Sequence, residues 1–105
     1  MRLRFTPQAQ ADLEGIADYI AADNRARASS FVRELRVQCQ RIAINPRGYR
    51  RRPELGEGIR SCAHGNYVIF FAESAKDLTV IRILHGARDI ARAFEPAVHK
   101  AVPDT

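Results

Sequence analysis

Residues 59–72 read IRSCAHGNYVIFFA, and this stretch decides the fold. Two runs of residues that favour β-structure flank the dipeptide Gly65-Asn66. A two-residue Gly-Asn connection between such runs is a strong signal for a β-hairpin with a tight turn. The sequence therefore predicts two antiparallel strands, one over residues 59–64 and the other over residues 67–72.

Two further strands are predicted, one near each end of the chain. Residues 78–85, LTVIRILH, are apolar on both faces apart from Arg82 and His85. That pattern is typical of a strand with neighbours on both sides, so we expect it in the interior of the sheet. Residues 2–5, RLRF, alternate polar and apolar side chains, which predicts a short half-buried strand.

Two helices are predicted between the first strand and the hairpin. Thr6 supplies an N-cap and Pro7 a favourable first position for a helix with one apolar stripe that runs to about Ala22. A second helix follows residues 23–24 (Asp-Asn), either of which can cap it, and ends at residues 45–46 (Asn-Pro). Three acidic side chains lie off the stripe of the first helix and are expected to be exposed: Asp12, Glu14 and Asp18. The second helix is predicted to bury Ala28, Phe31, Leu35, Cys39 (or Gln38) and Ile42.

The element order is β-α-α-β-β-β, which places the chain in the α+β class. Because only a few residues around positions 23–24 connect the two helices, we expect them to form an antiparallel hairpin. This hairpin would pack on one face of a small, mostly antiparallel sheet. A short C-terminal helix is predicted over residues 87–94, and residues 46–58 are predicted to form a basic loop. With 105 residues the chain is long enough for one domain, which we assign to residues 1–95. Residues 96–105 form a tail with little to pack.

The excess positive charge of the chain is confined to one block. The net charge is +5, and residues 25–52 hold nine arginines against the single acidic residue Glu34. Such a block attracts an anionic partner, either nucleic acid or an acidic protein, although a solvated helix face produces the same pattern. Three arginines of the second helix are therefore candidates for partner binding: Arg33, Arg36 and Arg41.

Composition and motifs argue against several classes of function. No run of the sequence approaches the roughly 18 apolar residues of a membrane span, and the N-terminus has no apolar signal segment, so we expect a cytoplasmic protein. Cys39 and Cys62 do not have zinc-ligand spacing and are expected as two reduced, packed thiols rather than a disulfide. Motifs for phosphate cradles, serine hydrolases, zinc proteases and dinucleotides are absent, so we expect neither a metal nor a cofactor.

Arg60, Arg82 and His85 are the candidates for phosphodiester chemistry. Because a charge beneath the helices is costly, Arg60 and Arg82 are expected on the open face of the sheet. Two guanidinium groups there can hold a phosphodiester and stabilise the charge that develops during its cleavage. His85 would act as acid or base, with Tyr67 or His64 as further candidates. The structural alternatives are a hydrogen bond from His85 to the following turn and ion pairs of the arginines with nearby carboxylates: Glu73, Asp77 or Asp89.

Four segments carry a family resemblance through their order and spacing. They are A-x-x-D-L-x-x-I-x-x-Y-I at residues 9–20, NPRGYRRRPELGEGIRS at residues 45–61, YVIFF at residues 67–71 and VIRILHGARDI at residues 80–90. Together they resemble the ParE branch of the RelE/ParE toxin superfamily from bacterial toxin–antitoxin modules, over nearly the whole chain. The fold that this resemblance implies is the fold predicted above.

The resemblance implies a small cytoplasmic toxin of the kind that stabilises plasmids. Its antitoxin would carry a ribbon-helix-helix DNA-binding domain, wrap its C-terminal segment around the toxin, and repress the shared operon as part of a hetero-oligomer. ParE toxins are associated with poisoning of DNA gyrase, whereas RelE-type relatives cleave mRNA in the ribosomal A site. The latter use a lysine pair in the preceding loop and a late aromatic acid–base residue, neither of which is clear here.

The departure from the RelE pattern favours gyrase inhibition by protein–protein contact, without chemistry of the toxin's own. Two alternatives stay open: a ribosome-dependent mRNA endonuclease that uses Arg60, Arg82 and His85, and a non-toxic relative that only binds an antitoxin. The residues expected to bind partners are Arg33, Arg36, Arg41, Arg60 and Arg82.

Overall fold

The computed structural model describes residues 1–86 and Ile90. In chain order the elements are β1 (Arg2–Phe5), α1 (Pro7–Ala21), α2 (Arg25–Ile44), a 3₁₀ turn (Pro46–Gly48), β2 (Arg50–Arg51), β3 (Arg60–His64), β4 (Tyr67–Glu73) and β5 (Asp77–His85). The predicted α+β fold, with a helical hairpin on one face of a mostly antiparallel sheet, is confirmed. The predicted helix at residues 87–94, with Asp89, and the tail at residues 96–105 lie outside the described residues.

Local sequence signals define both helices. Thr6 caps α1, because its Oγ1 accepts a hydrogen bond from the Ala9 N–H at 3.0 Å, and Pro7 takes the first helical position. Asn24 caps α2 in the same way through the Arg27 N–H at 3.0 Å. The helix ends at the Asn-Pro dipeptide, since proline disfavours the helical conformation in its predecessor.

The sheet has five strands in the order β1-β5-β4-β3-β2. β1 runs parallel to β5, and every other neighbouring pair is antiparallel. The interior position predicted for residues 78–85 is confirmed, because β5 lies between β1 and β4. The two-residue strand β2 lies within residues 46–58, which were predicted to form a loop. So short a strand shows no alternation of polar and apolar side chains, and the sequence pattern therefore did not reveal it.

The core lies between the helical hairpin and one face of the sheet. The residues of α2 predicted to point inward are buried, with Cys39 rather than Gln38. The apolar stripe of α1 is buried at Ala9, Leu13 and Ile16, and Ile20 at its end is partly buried. β4 is buried on both faces: Ile69 and Phe71 belong to the core, and Phe70 between them is fully buried on the opposite side. The register of the β4–β5 ladder shifts between Phe70 and Phe71, next to the position of Arg82.

The two edges of β5 are covered differently along its length. β4 pairs with it over almost the whole strand, whereas β1 pairs with it only as far as Val80, opposite Phe5. Residues 81–85 therefore continue past the end of β1, at the point where the chain turns into α1. This arrangement brings side chains of α1 to the backbone of β5.

Candidate functional site

Side chains of α1 and its cap take the place of a strand where β5 passes β1. The Thr6 hydroxyl donates to the Ile81 carbonyl at 2.7 Å, and the Asp12 carboxylate accepts from the Ile83 N–H at 2.9 Å. The same carboxylate binds the Arg82 guanidinium through two contacts, Oδ2 to Nε at 2.8 Å and Oδ1 to Nη2 at 3.0 Å. Asp12 thus closes the edge of the sheet and holds Arg82 in bidentate geometry.

These contacts correct two expectations. The exposed acidic surface predicted for α1 included Asp12, but only 14% of its side chain is exposed. Arg82 lies opposite Phe70, on the face away from the helices as expected, but its guanidinium binds Asp12 of α1 rather than one of the expected carboxylates, and its side chain is 29% exposed. Asp12 was not among the carboxylates considered as partners, since it lies 70 residues earlier in the chain.

Arg60 lies on the helix side of the sheet, so its expected place on the open face was wrong. It shares a strand face with Cys62, whose Sγ is 3.2 Å from a glutamine of α2, and with His64, which is 3.5 Å from Glu34 of α2. Its guanidinium donates to the Tyr49 carbonyl at 2.9 Å. Arg60 is only half-buried, because the hairpin leaves this corner of the sheet accessible, and the cost of burying a charge does not apply there.

His85 lies at the opposite end of the sheet, also on the helix side. It pairs with Tyr67 across the β4–β5 ladder, with the two ring centroids 5.5 Å apart and nearly perpendicular. Tyr67 in turn packs against Phe31 of α2 at 5.6 Å. These three rings, with Tyr19 and Arg27, line a shallow bowl of about 540 Å³. Sequence reasoning missed this convergence, because its members come from both helices and from two strands.

The three candidates for phosphodiester chemistry do not share a site. Arg60 lies opposite Phe71 and His85 lies opposite Tyr67, four residues apart along β4. At about 3.3 Å per residue, their backbones are therefore separated by about 13 Å along the strand direction alone. Arg82 lies between these levels and is engaged by Asp12. Acid–base transfer needs hydrogen-bond contact with the reacting atoms, and one phosphodiester does not span this arrangement.

The outer surface of α2 combines positive charge with apolar side chains. The three arginines of α2 that were expected to bind a partner are exposed: Arg33, Arg36 and Arg41. Val37 and Ile44, about one and three turns beyond Arg33 on the same surface, are 44% and 83% exposed. Glu34, the acidic residue of this helix, is 2.6 Å from Arg27, whose hydrogen bond lowers the pKa of the Glu34 carboxyl. The surface is suited to a partner that is both acidic and apolar.

Neither thiol suggests a metal or a disulfide. Cys39 is buried and Cys62 is half-buried, as expected for packed thiols, and both are free. Burial raises the pKa of the Cys39 thiol to about 12. Across residues 1–86, no group of histidine, cysteine and acidic side chains is arranged to hold a metal ion. In that same part of the chain, no helix has both the length and the apolar character that crossing a membrane requires.

Comparison with known proteins gives consistent matches. A family model described as "ParE toxin of type II toxin-antitoxin system, parDE" matches residues 3–90. Toxin ParE1 of Mycobacterium tuberculosis is 33% identical over 94 residues, which cover 87% of this chain and 95% of the relative. Toxin ParE1 of Caulobacter vibrioides is 32% identical over 85 residues, which cover 78% and 85% respectively. A solved structure titled "Chromosomal ParDE TA system from P. aeruginosa" has the same fold, with a TM-score of 0.69 at 24% identity over 81% of this chain and 95% of that one.

Proposed function

Because the chain belongs to the ParE family of type II toxin–antitoxin toxins, we propose that it arrests growth by binding DNA gyrase, without catalysing a reaction. In this proposal the toxin acts in the cytoplasm, where gyrase works on DNA. A cognate antitoxin of the ribbon-helix-helix type neutralises it by forming a hetero-oligomer.

One observation supports gyrase over mRNA as the target: Arg60, Arg82 and His85 are dispersed. An mRNA endonuclease needs a base, an acid and groups that bind the phosphate around a single phosphodiester. Here Arg60 and His85 lie at opposite ends of the sheet, and Arg82 is held by Asp12. A toxin that works by binding alone needs none of these groups in one place.

The antitoxin is proposed to bind the exposed surface of α2. An acidic amphipathic segment would place its carboxylates against Arg33, Arg36 and Arg41 and cover the exposed Val37 and Ile44. The side chains of Arg60 and Arg82, which were also expected to bind a partner, already make hydrogen bonds within the chain. We therefore assign most of the electrostatic attraction to the arginines of α2.

A supercoiling assay with purified protein and gyrase tests the proposed target. We expect loss of supercoiling with the wild-type chain and the same loss with His85→Gln, since the proposal gives His85 no chemical role. Primer extension on mRNA from expressing cells should show intact messages. Cuts at codon boundaries that disappear in His85→Gln would instead support the endonuclease, and normal growth on overexpression would support a non-toxic relative; either result refutes the proposal.

The proposed antitoxin surface has its own test. Replacement of Arg33, Arg36 and Arg41 by glutamate should weaken the toxin–antitoxin complex, most strongly at low salt, because screening weakens the wild-type attraction. A matched control reverses three other exposed arginines: Arg25, Arg50 and Arg51. Equal losses in the two triple variants would show that only net charge matters and would contradict the assignment to Arg33, Arg36 and Arg41.

A further inference from the structure

We propose that the outer edge of the sheet at β2 binds the phosphodiester backbone of duplex DNA. We call this surface the arginine edge, and define it as Arg47, Arg50, Arg51 and Arg60. It follows the C-terminal end of α2 in the chain, and the proposal does not depend on gyrase as the target.

The first observation is a pair of like charges. Arg51 and Arg60 lie directly opposite each other in the β2–β3 ladder, and like charges at opposite positions destabilise an antiparallel pair. Arg60 donates to the Tyr49 carbonyl. The ion pairs found within residues 1–86 include neither Arg51 nor Arg60. An anion bound between the two guanidinium groups would replace this repulsion with two attractive contacts.

The second observation is the exposure of the other arginines on this edge. β2 is the last strand of the sheet, so Arg50 and Arg51 project towards its two opposite faces, and both side chains are exposed. Arg47, in the turn just before β2, is 81% exposed and only partly neutralised by Glu73 at 3.1 Å. The edge therefore presents positive charge on both sides of one strand.

The chemistry of these side chains favours phosphate over other anions. The planar guanidinium forms two parallel hydrogen bonds to a phosphate, and arginine is the usual residue for this contact. Charged side chains on an edge strand also oppose the addition of another strand, which argues against an extended peptide paired with β2. A polyanion that meets the side chains, rather than the strand backbone, fits this edge best.

The aromatic residue at this edge favours duplex over single-stranded nucleic acid. Proteins that bind single strands stack the bases on exposed aromatic rings. Tyr49, immediately before β2, is turned inward and packs edge-on against Phe71 of the core, with centroids 5.8 Å apart. Contact with a sugar–phosphate backbone alone is typical of sequence-independent duplex binding.

The test measures the affinity of the full chain for a short fluorescent duplex at several salt concentrations. Two variants lose the same charge: Arg50→Gln with Arg51→Gln at the edge, and Arg25→Gln with Arg33→Gln on α2, all four being exposed residues. For the wild type we expect a dissociation constant of about 10⁻⁴–10⁻⁶ M, as for non-specific binding. The edge variant should lower the slope of log Kd against log salt by about two, since each phosphate contact contributes about 0.9. The α2 variant should keep the wild-type slope.

Three outcomes would overturn the proposal. If the slope of log Kd against log salt is the same in the two double variants, DNA binding depends only on net charge and not on the arginine edge. Tighter binding of single-stranded RNA than of the duplex, abolished by the same edge substitutions, would assign the edge to RNA. Binding of an acidic peptide but not of DNA would assign it to a protein. Thermal unfolding checks that each variant is folded, and a failed gyrase assay alone leaves the duplex measurement valid.

Discussion

Replacement of Asp12 by alanine should destabilise the protein more than any other substitution of an acidic residue in α1. The change leaves the Ile83 N–H without the carboxylate that closes the edge of β5. A buried donor without a partner costs about 1–3 kcal/mol. The ion pair with Arg82 adds only about 1 kcal/mol, because the arginine side chain is 29% exposed and water screens the charge.

Alanine partly offsets this loss because it favours the helix over aspartate by about 0.6 kcal/mol. The free energy of unfolding should therefore fall by about 1.5–3.5 kcal/mol. At about 4–8 °C per kcal/mol for a small domain, the middle of that range lowers the melting temperature by about 10–20 °C. Urea unfolding followed by circular dichroism measures the free energy directly.

Two further variants separate the causes. Asp18→Ala removes an exposed carboxylate from the same helix and gains the same helix propensity, so its unfolding free energy should change by no more than about 0.6 kcal/mol. Asp12→Asn keeps an oxygen that accepts from the Ile83 N–H but loses the charge, so it should fall between Asp12→Ala and the wild type. If Asp12→Ala is no less stable than Asp18→Ala, the edge of β5 does not need Asp12 and the reasoning is wrong.

Three other predictions follow from local contacts. Thr6→Ala removes both the cap of α1 and the hydrogen bond to the Ile81 carbonyl, and should lower the unfolding free energy by about 1–2.5 kcal/mol in urea; Thr6→Ser should recover most of it, and an equal loss in both would contradict a role for the hydroxyl. The hydrogen bond from Arg2 holds the pKa of Asp77 below its ordinary value of 3.8. The stabilisation is therefore present above that value and lost as the pH falls through the lower folded pKa, so Asp77→Asn should flatten the acid limb of urea midpoints; an unchanged limb would refute the linkage. Cys62 should react with a thiol reagent in the folded protein while Cys39, buried with a pKa of about 12, reacts only on unfolding; equally fast reaction of both native thiols would contradict this packing.

The elements of this fold were predictable because their signals are local. Thr6 is an N-cap residue and marks the start of α1. The Gly65-Asn66 turn joins two strands, and a two-residue turn fixes which residues of the two strands pair. Gly65 adopts the positive φ of +59° that such a turn requires. The strand β2 was not predicted, because its two residues show no pattern of their own and form a strand only by pairing with β3.

The positions of charged side chains were less predictable. They depend on how much of the sheet the helices cover, and on which strand edges lack a neighbouring strand. Arg60 was placed on the open face on the assumption that the hairpin covers the whole sheet, but it leaves the corner at Tyr49 accessible. Asp12 was predicted to be exposed because it lies off the apolar stripe of its own helix. No pattern within α1 reveals that the backbone of β5 lies on that side without a strand beside it.

The parallel pairing of β1 with β5 also governs how the chain folds during synthesis. Arg2 pairs with Asp77, 75 residues later, so β1 leaves the ribosome well before its partner strand and is paired late, at a high entropic cost of loop closure. At about 5–20 residues per second, that wait lasts about 4–15 s. During this time the apolar stripe of α1 has no sheet to pack against and is open to chaperones. A message truncated before the codon for Asp77 therefore produces a chain that cannot assemble the sheet, and the folded domain should appear only when translation has passed β5.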